Sequence, residues 1–469
     1  MTIREFGERV LMNLPYVAND QQVQLIAALA RFCSPSMPGD RVFLLSGYAG
    51  TGKTSLTGAL VKALGEANVN SVLLAPTGRA AKVFAAFAHH PAYTIHRKIY
   101  RPPAIGDTAS SVGAIAENRH QNTIFIVDEA SMIGAASDNG SNLLDDLIHY
   151  VYSGHNCRLL LLGDTAQLPP VGCDESPAMS TKMLQSYGLK VTRAVLTETV
   201  RQAADSGILY NATLMRRAMK ADPLPEPLLY VTPFDDVETV PGELLAESLN
   251  DAYGRDGVEQ TILITRSNKR ATQFNLAIRA NILYKEEELT RDELLLVAKN
   301  NYYWTSKVKE IDFIANGDVA TIVKVYGTEY KYNLRFADVS LHFPDHDVTL
   351  DCKIMLSTLT SDAPALETER MNRLYQECIN DPELFAADAP MSVRLKGLKN
   401  NPYFNALQVK YAYAVTCHKA QGGQWRNVYV DMGYIPPEAQ GMEFYRWLYT
   451  ATTRATTRIY YLNPGVEIK

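Results

Sequence analysis

VFLLSGYAGTGKTSL, residues 42–56, decides how the rest of the chain is read. Val42-Phe43-Leu44-Leu45 is continuously apolar, as a strand covered on both faces must be. Gly47-Tyr48-Ala49-Gly50-Thr51-Gly52-Lys53-Thr54 then fits the pattern G-x-x-x-x-G-K-[ST], and a helical pattern opens at Ser55. Glycines let backbone N–H groups come close to phosphate oxygens, and the following helix N-terminus adds partial positive charge. In such a loop Lys53 reaches the β- and γ-phosphates and the Thr54 hydroxyl coordinates magnesium. Gly47, Gly50, Thr51, Gly52 and Ser55 complete the cradle. The stretch therefore implies an α/β fold that holds ATP and Mg2+. It does not say what the nucleotide's energy drives.

Strand and helix patterns alternate outward from this loop. Ser71–Ala75, Ile124–Asp128 and Leu159–Leu162 read as further buried strands, with a helix over Arg79–Ala88. The rhythm returns later: Thr261–Thr265, Tyr411–Thr416, Val428–Asp431 and Ile459–Leu462 are expected strands, and Lys269–Ile282 a helix. Two α/β units are implied. Two stretches break the rhythm. Residues 97–121 carry Pro-Pro, Gly and Ser and read as a small insertion. Residues 300–402 begin with β-branched and aromatic alternation, with turns expected at Asn316-Gly317 and at Gly327, and continue into a polar, partly helical extension over Thr360–Pro402.

The bulk properties fit a multidomain globular chain. Of 469 residues, 46% are hydrophobic and 21% charged. No apolar run reaches the roughly 18 residues of a membrane span. The opening MTIREFGERVLMNL is mixed in charge and does not read as a secretory signal. The six cysteines are scattered without a CxxC pair, which fits a cytoplasmic setting. A net charge of −5 argues against a uniformly basic surface but leaves room for a basic groove.

A second acidic site is expected next to the phosphate loop. The apolar Ile124-Phe125-Ile126-Val127 ends in Asp128-Glu129, which places Asp128 at the magnesium and Glu129 near an attacking water. Leu162-Gly163-Asp164-Thr165-Ala166-Gln167 starts at another strand end, and Gln167 has the reach to sense a γ-phosphate or orient water.

The ordered set GYAGTGKT, APTGRAAK, TIH, DEAS, GDTAQLPPV, LTETVRQ, TCHKAQG and YTATTRA resembles the motif series of superfamily-one helicases, most closely the B group with its RecD-like and phage Dda-like members. The resemblance runs from about residue 17 to 462. It implies two RecA-like P-loop parallel-sheet domains, with a small wedge insertion in the first and an SH3-like β-barrel insertion in the second. The expected boundaries are 1–96 with 122–235 for the first domain, 97–121 for the wedge, 236–299 with 403–469 for the second domain, and 300–402 for the SH3-like insertion with its extension.

The resemblance also implies roles. Gln21 would read adenine, with Gln22 as the adjacent alternative. Arg201 and Arg454, one from each unit, would be paired arginine fingers on the γ-phosphate. Thr77, Arg79, His96, Thr416, His418 and Lys419 would contact single-stranded DNA, with Asn268 a weaker candidate. Ile99 and Tyr100 are the apolar candidates in the wedge. The implied activity is an ATP-dependent DNA helicase that translocates 5′→3′ and acts as a monomer on single-stranded and forked DNA, away from membranes, with replication or repair proteins as partners. A DNA-stimulated translocase or loader that does not unwind is the alternative. The pathway (repair, recombination or replication) is left open.

Overall fold

The computed structural model describes residues 1–101, 114–134, 142–198, 205–306, 308, 311 and 313–469. Strands β1 (Arg41–Gly47), β2 (Ser71–Ala75), β3 (Ala92–Thr94), β4 (Ile124–Val127), β5 (Arg158–Gly163) and β6 (Lys190–Leu196) form one sheet in the order β3-β2-β4-β5-β1-β6. Every pairing in it is parallel. Successive β1 side chains enter different cores. Phe43 and Leu45 pack with the helices Asp20–Cys33 and Lys53–Glu66, whereas Val42 and Leu44 pack with the helix Leu143–Ser153. Each such buried side chain stabilises the sheet by roughly 1.5–3 kcal/mol, which is why the strand shows no polar alternation.

The remaining strands are β7 (Leu228–Leu229), β8 (Val237–Val240), β9 (Thr261–Thr265), β10 (Leu294–Val297), β11 (Val319–Lys331), β12 (Leu334–Phe343), β13 (Val348–Met355), β14 (Leu407–Tyr411), β15 (Ala414–Thr416), β16 (Trp425–Asp431), β17 (Ala455–Leu462) and β18 (Glu467–Ile468). A second parallel sheet has the order β15-β9-β16-β17-β8, and β10 to β14 close into a barrel. The fold is thus mixed α/β with two parallel sheets and a small β-barrel. No helix among the described residues is long and apolar enough to cross a membrane.

Several expectations change. Tyr411–Thr416 is not one strand. Tyr411 pairs antiparallel with Leu295 in the barrel, and Ala414 pairs parallel with Leu263 in the second sheet. Asn275 makes the switch: its Oδ1 accepts from the N–H groups of Tyr413 and Ala414 at 2.9 and 2.8 Å, and its Nδ2 donates to Ala414 O at 2.8 Å. The barrel therefore extends beyond 300–402, taking β10 and β14 from either side. Gly327 sits at a β-bulge inside β11, and the hairpin turn falls at Tyr332-Asn333, both at φ 53°. The extension forms helices Thr368–Ile379 and Met391–Lys399, whose Leu374, Cys378 and Leu398 cover Leu334, Phe336 and Met355 at the barrel end.

The first unit also ends earlier than 235. The helix Gly207–Ala218 buries Ile208, Ala212 and Met215 in the core of the second sheet, and β7 pairs with β18 near the chain's last residue. At the wedge, Arg101 N–H donates to Ala114 O at 2.9 Å and Ala116 N–H to Ile99 O at 2.7 Å, the base of an antiparallel pair. Ile99 is buried in the core, and the Tyr100 hydroxyl donates to Asp146 at 2.6 Å. Neither wedge candidate presents a free apolar tip. The rest of the insertion, residues 102–113, lies outside the described residues.

Candidate active site

The phosphate loop leaves β1 and turns into the helix Lys53–Glu66. Gly50 and Gly52 take φ of 74° and 77°, a region that side-chain-bearing residues avoid. A Cβ at Gly52 would also lie 2.2 Å from the Tyr16 hydroxyl. Since Gly52 caps the helix without a side chain, the first helical N–H groups point at the loop with no competing acceptor from the cap. Lys53 Nζ donates to Gly47 O at 3.2 Å, and Thr51 Oγ1 to Tyr48 O at 2.8 Å. Thr54 and Ser55 open the helix, half-buried.

Gln21 and Gln22 separate here. Gln21 turns away from the loop, and its Oε1 accepts from Thr197 N–H at 2.8 Å and Glu198 N–H at 3.2 Å. Gln22 is buried and donates through Nε2 to Thr51 O at 3.1 Å. Helix geometry explains the swap. Asn19 is the N-cap, Gln22 is the third helical residue, and the two close a capping box that aims Gln22 at the loop. Gln21, about 100° around the helix, is turned to the Thr197-Glu198 backbone instead. Of the pair, Gln22 is the residue whose amide contacts the phosphate loop.

Asp128 and Glu129 follow β4. Burial pushes the Asp128 carboxyl up to about 6; the Lys53 charge opposes this and the neighbouring Glu129 adds to it. Asp128 Oδ1 accepts from Glu129 N–H at 2.8 Å. Glu129 sits at φ 51°, a strained setting of the kind held at functional sites. Glu129 Oε2 and Gln167 Oε1 are buried with no hydrogen-bond partner among the described residues. Buried polar atoms are rarely left unpaired, so these orphans call for a ligand or water. Lys53, Thr54, Asp128 and these two acceptors together fit a magnesium–triphosphate group.

Residues of the second unit close over the same loop. The Tyr449 hydroxyl, on the helix Met442–Thr452, donates to Asp164 Oδ2 at 2.6 Å and accepts from Ala49 N–H at 3.0 Å. Leu168 N–H donates to Thr450 Oγ1 at 2.8 Å, and Gln421 Nε2 donates to Leu168 O at 2.7 Å. Arg216 lies 4.4 Å over the Tyr48 ring, and Leu209 packs against Gly50. Asp164 is buried, which raises its carboxyl; the nearby Lys53 charge and the Tyr449 hydroxyl pull it back. Tyr449, Thr450 and Gln421 had been quoted within the motifs without a role. Only their side-chain directions reveal one.

The two finger candidates fare differently. Arg201 lies outside the described residues. Arg454 is buried, and its guanidinium donates to Thr450 O at 3.1 Å, Gly423 O at 3.3 Å and Thr453 Oγ1 at 3.2 Å, all within the second unit. These acceptors are neutral, and no carboxylate pairs with Arg454 among the described residues. Its positive charge is therefore not cancelled locally.

A cleft of about 490 Å³ lies between the units and the barrel. Thr77, Arg79, His418 and Lys419 line it together with Asn316 of the barrel turn, so four of the expected contacts come together. Thr77 caps its own helix, accepting from Ala80 N–H at 3.2 Å. A Cβ at Gly422, where φ is 73°, would stand 3.2 Å from Thr77 Oγ1, so glycine permits the close approach of the two loops. Lys419 donates to Asn316 in the turn of the barrel. Burial lowers the His418 pKa. Arg79 departs from expectation: it stacks 3.9 Å over Trp425 and donates to Gln424 O at 3.1 Å, joining the units. His96 is not in this cleft. Its ring packs against Tyr100 and Phe313, and burial pushes its pKa down to about 4. Thr416 lies in a separate small recess with Lys410 and Lys419, and Asn268 lines that recess too.

Known proteins resemble parts of this chain. A family model described as AAA domain matches residues 17–223, and one described as UvrD-like helicase C-terminal domain matches residues 411–461. The ATP-dependent RecD2 DNA helicase of Deinococcus radiodurans is 31% identical over 183 residues, which span 38% of this chain and 22% of that enzyme. The uncharacterized protein R530 of Acanthamoeba polyphaga mimivirus is 23% identical over 89% of this chain and 94% of its own. A Bacteroides Pif1 helicase in complex with ADP-AlF3 and single-stranded DNA aligns with a TM-score of 0.47 at 14% identity, covering 95% of this chain and 92% of that one. The two matched regions lie on either side of the barrel strands β10–β13: the chain is similar to an AAA domain before them and to a UvrD-like helicase C-terminal domain after them.

Proposed function

We propose that the protein is an ATP-driven DNA helicase that moves 5′→3′ along single-stranded DNA and opens forked duplex as a monomer. The observation that carries this reading is the clasp on the phosphate loop. Tyr449 of the second unit bonds both Ala49 of the loop and Asp164 beside it, so a change at the nucleotide alters how the units meet. Lys53 holds the phosphates, Glu129 orients the attacking water and accepts its proton, and Gln167 senses the γ-phosphate. Magnesium on Thr54 and Asp128 supplies charge neutralisation at the phosphate oxygens when bound. Arg454, held by neutral acceptors among the described residues, and Arg201 reach the γ-phosphate as the units close. Such fingers contribute roughly a thousandfold or more in rate.

The cleft with Thr77, His418 and Lys419 lies at the same junction, so closing and opening alternate the grip on a strand. Backbone-directed contacts of this kind give little sequence preference. Opening duplex costs about 1.4 kcal/mol per base-pair step, a modest demand on each cycle. The polarity rests on the resemblance of the motif series to the B group. Forked duplexes with a 5′ or a 3′ tail test the reading. Separation of the 5′-tailed substrate alone, with DNA-stimulated ATP hydrolysis, is expected. Separation from the 3′ tail alone refutes the polarity. Hydrolysis without separation of either substrate favours a translocase or loader, a reading that the anchored Ile99 and Tyr100 would suit.

A further inference from the structure

A second cleft, of about 440 Å³, opens on the other side of the loop Asp164–Pro170. None of Thr77, His418 and Lys419 lines it. Its inner wall holds Ser131, Asp164 and Gln167, and its outer wall Thr181, Lys182, Arg193 and Arg446. Ser131 and Gln167 are 4% and 6% exposed, and Ser131 Oγ, Gln167 Oε1 and Thr181 Oγ1 are buried atoms with no hydrogen-bond partner among the described residues. Orphaned polar atoms concentrated in one cavity mark a polar guest rather than a packing defect. Two carboxylates also line it. Asp164 is covered by the Tyr449 hydroxyl and Ala166 N–H, and Glu175 is exposed at the rim.

The inner end abuts the place where a γ-phosphate would be cleaved. Ser131 follows Glu129 by one intervening residue, Asp164 feels the charges of Lys53 and Glu129, and Gln167 is the proposed γ-phosphate sensor. The mouth carries three cations. We propose that this cleft is the exit path for inorganic phosphate: the Ser131 and Thr181 hydroxyls and the Gln167 amide N–H donate to the anion inside, and Lys182, Arg193 and Arg446 draw it outward. Arg446 belongs to the second unit and donates to Asp174 O of the first at 2.6 Å, so the mouth spans the moving junction. Phosphate release and unit opening become one event.

The inference rests on the proposed ATP hydrolysis, and the test separates the two. Single-turnover cleavage is followed by chemical quench and phosphate release by a fluorescent phosphate sensor, both with single-stranded DNA. Thr181→Trp fills the passage, and Arg193→Glu reverses a mouth charge on an exposed strand position without altering the core. Both variants should cleave ATP at the ordinary rate while release lags by about tenfold for Thr181→Trp and about threefold for Arg193→Glu, barrier changes of ~1.4 and ~0.65 kcal/mol. Arg193→Lys should release normally. Release that keeps pace with cleavage in both variants overturns the exit path. Absence of cleavage in the unaltered protein overturns the hydrolytic reading together with it.

Discussion

Removing one oxygen should uncouple the nucleotide site from the second unit. Tyr449→Phe keeps the buried ring and deletes only the hydroxyl that joins Asp164 Oδ2 at 2.6 Å and Ala49 N–H at 3.0 Å. A hydrogen bond to a charged group contributes about 1.5–3 kcal/mol and one between neutral groups about 0.5–1.5 kcal/mol. The closed arrangement should therefore weaken by roughly 2–4 kcal/mol, and DNA-stimulated kcat/KM for ATP should fall roughly thirtyfold or more. A double-mutant cycle with Asp164→Ala isolates the bond, with an expected coupling above about 1.5 kcal/mol. The pH dependence has a definite sign. The Asp164 carboxyl is already raised by burial, and the lost hydroxyl raises it further. A carboxylate whose folded pKa is raised penalises the closed state while it is ionised, and the penalty is relieved as the pH falls through that pKa. The defect should be larger at pH 8 than at pH 5.5. A coupling below about 0.5 kcal/mol, or a defect that grows on acidification, refutes the clasp.

Other outcomes follow from the same geometry. Arg454→Ala should retain nucleotide binding, measured with a fluorescent ATP analogue, yet lose hydrolysis by roughly a thousandfold; near-normal turnover removes its role as a finger. Gln22→Ala should raise KM for ATP while Gln21→Ala leaves it within about twofold, since the capping box aims only Gln22 at the loop; the reverse order restores Gln21 as the adenine reader. His96, pushed down to about 4 by burial with Asp146 opposing, lies below the ordinary histidine value of ~6.5. Its contribution to stability is complete above about 6.5 and is lost as the pH falls towards 4, because the unfolded chain takes up the proton first. An NMR titration of the His96 ring with a midpoint at 6 or above contradicts that burial.

Much of the architecture was legible because its causes are local. Val42–Leu45 had to be a doubly covered strand, since both faces are apolar, and Gly50 and Gly52 had to form a loop that other residues cannot follow. Asp128, Glu129 and Gln167 could be expected near one another because the ends of parallel strands carry them to one rim of the sheet. Where the sheet changed partners, local pattern was silent. Tyr411–Val415 shows no polar break, and Asn275, far away in the chain, divides the stretch between barrel and sheet. The helix Gly207–Ala218 likewise gives no sign of which core its apolar stripe enters.

The sequence by itself determined the nucleotide loop, because phosphate chemistry demands particular residue types at particular strand ends, and the order of its motifs carried the resemblance to helicases. Tertiary structure alone decided which side chains do the joining. Arg79 stacks on Trp425, and His96 packs into an aromatic cluster away from the cleft lined by Thr77, His418 and Lys419. Tyr449, silent in sequence, meets a loop 400 residues earlier. The physical reason is reach. A backbone pattern fixes where a residue stands, but a hydroxyl at 2.6 Å depends on how two separately folded cores pack against each other.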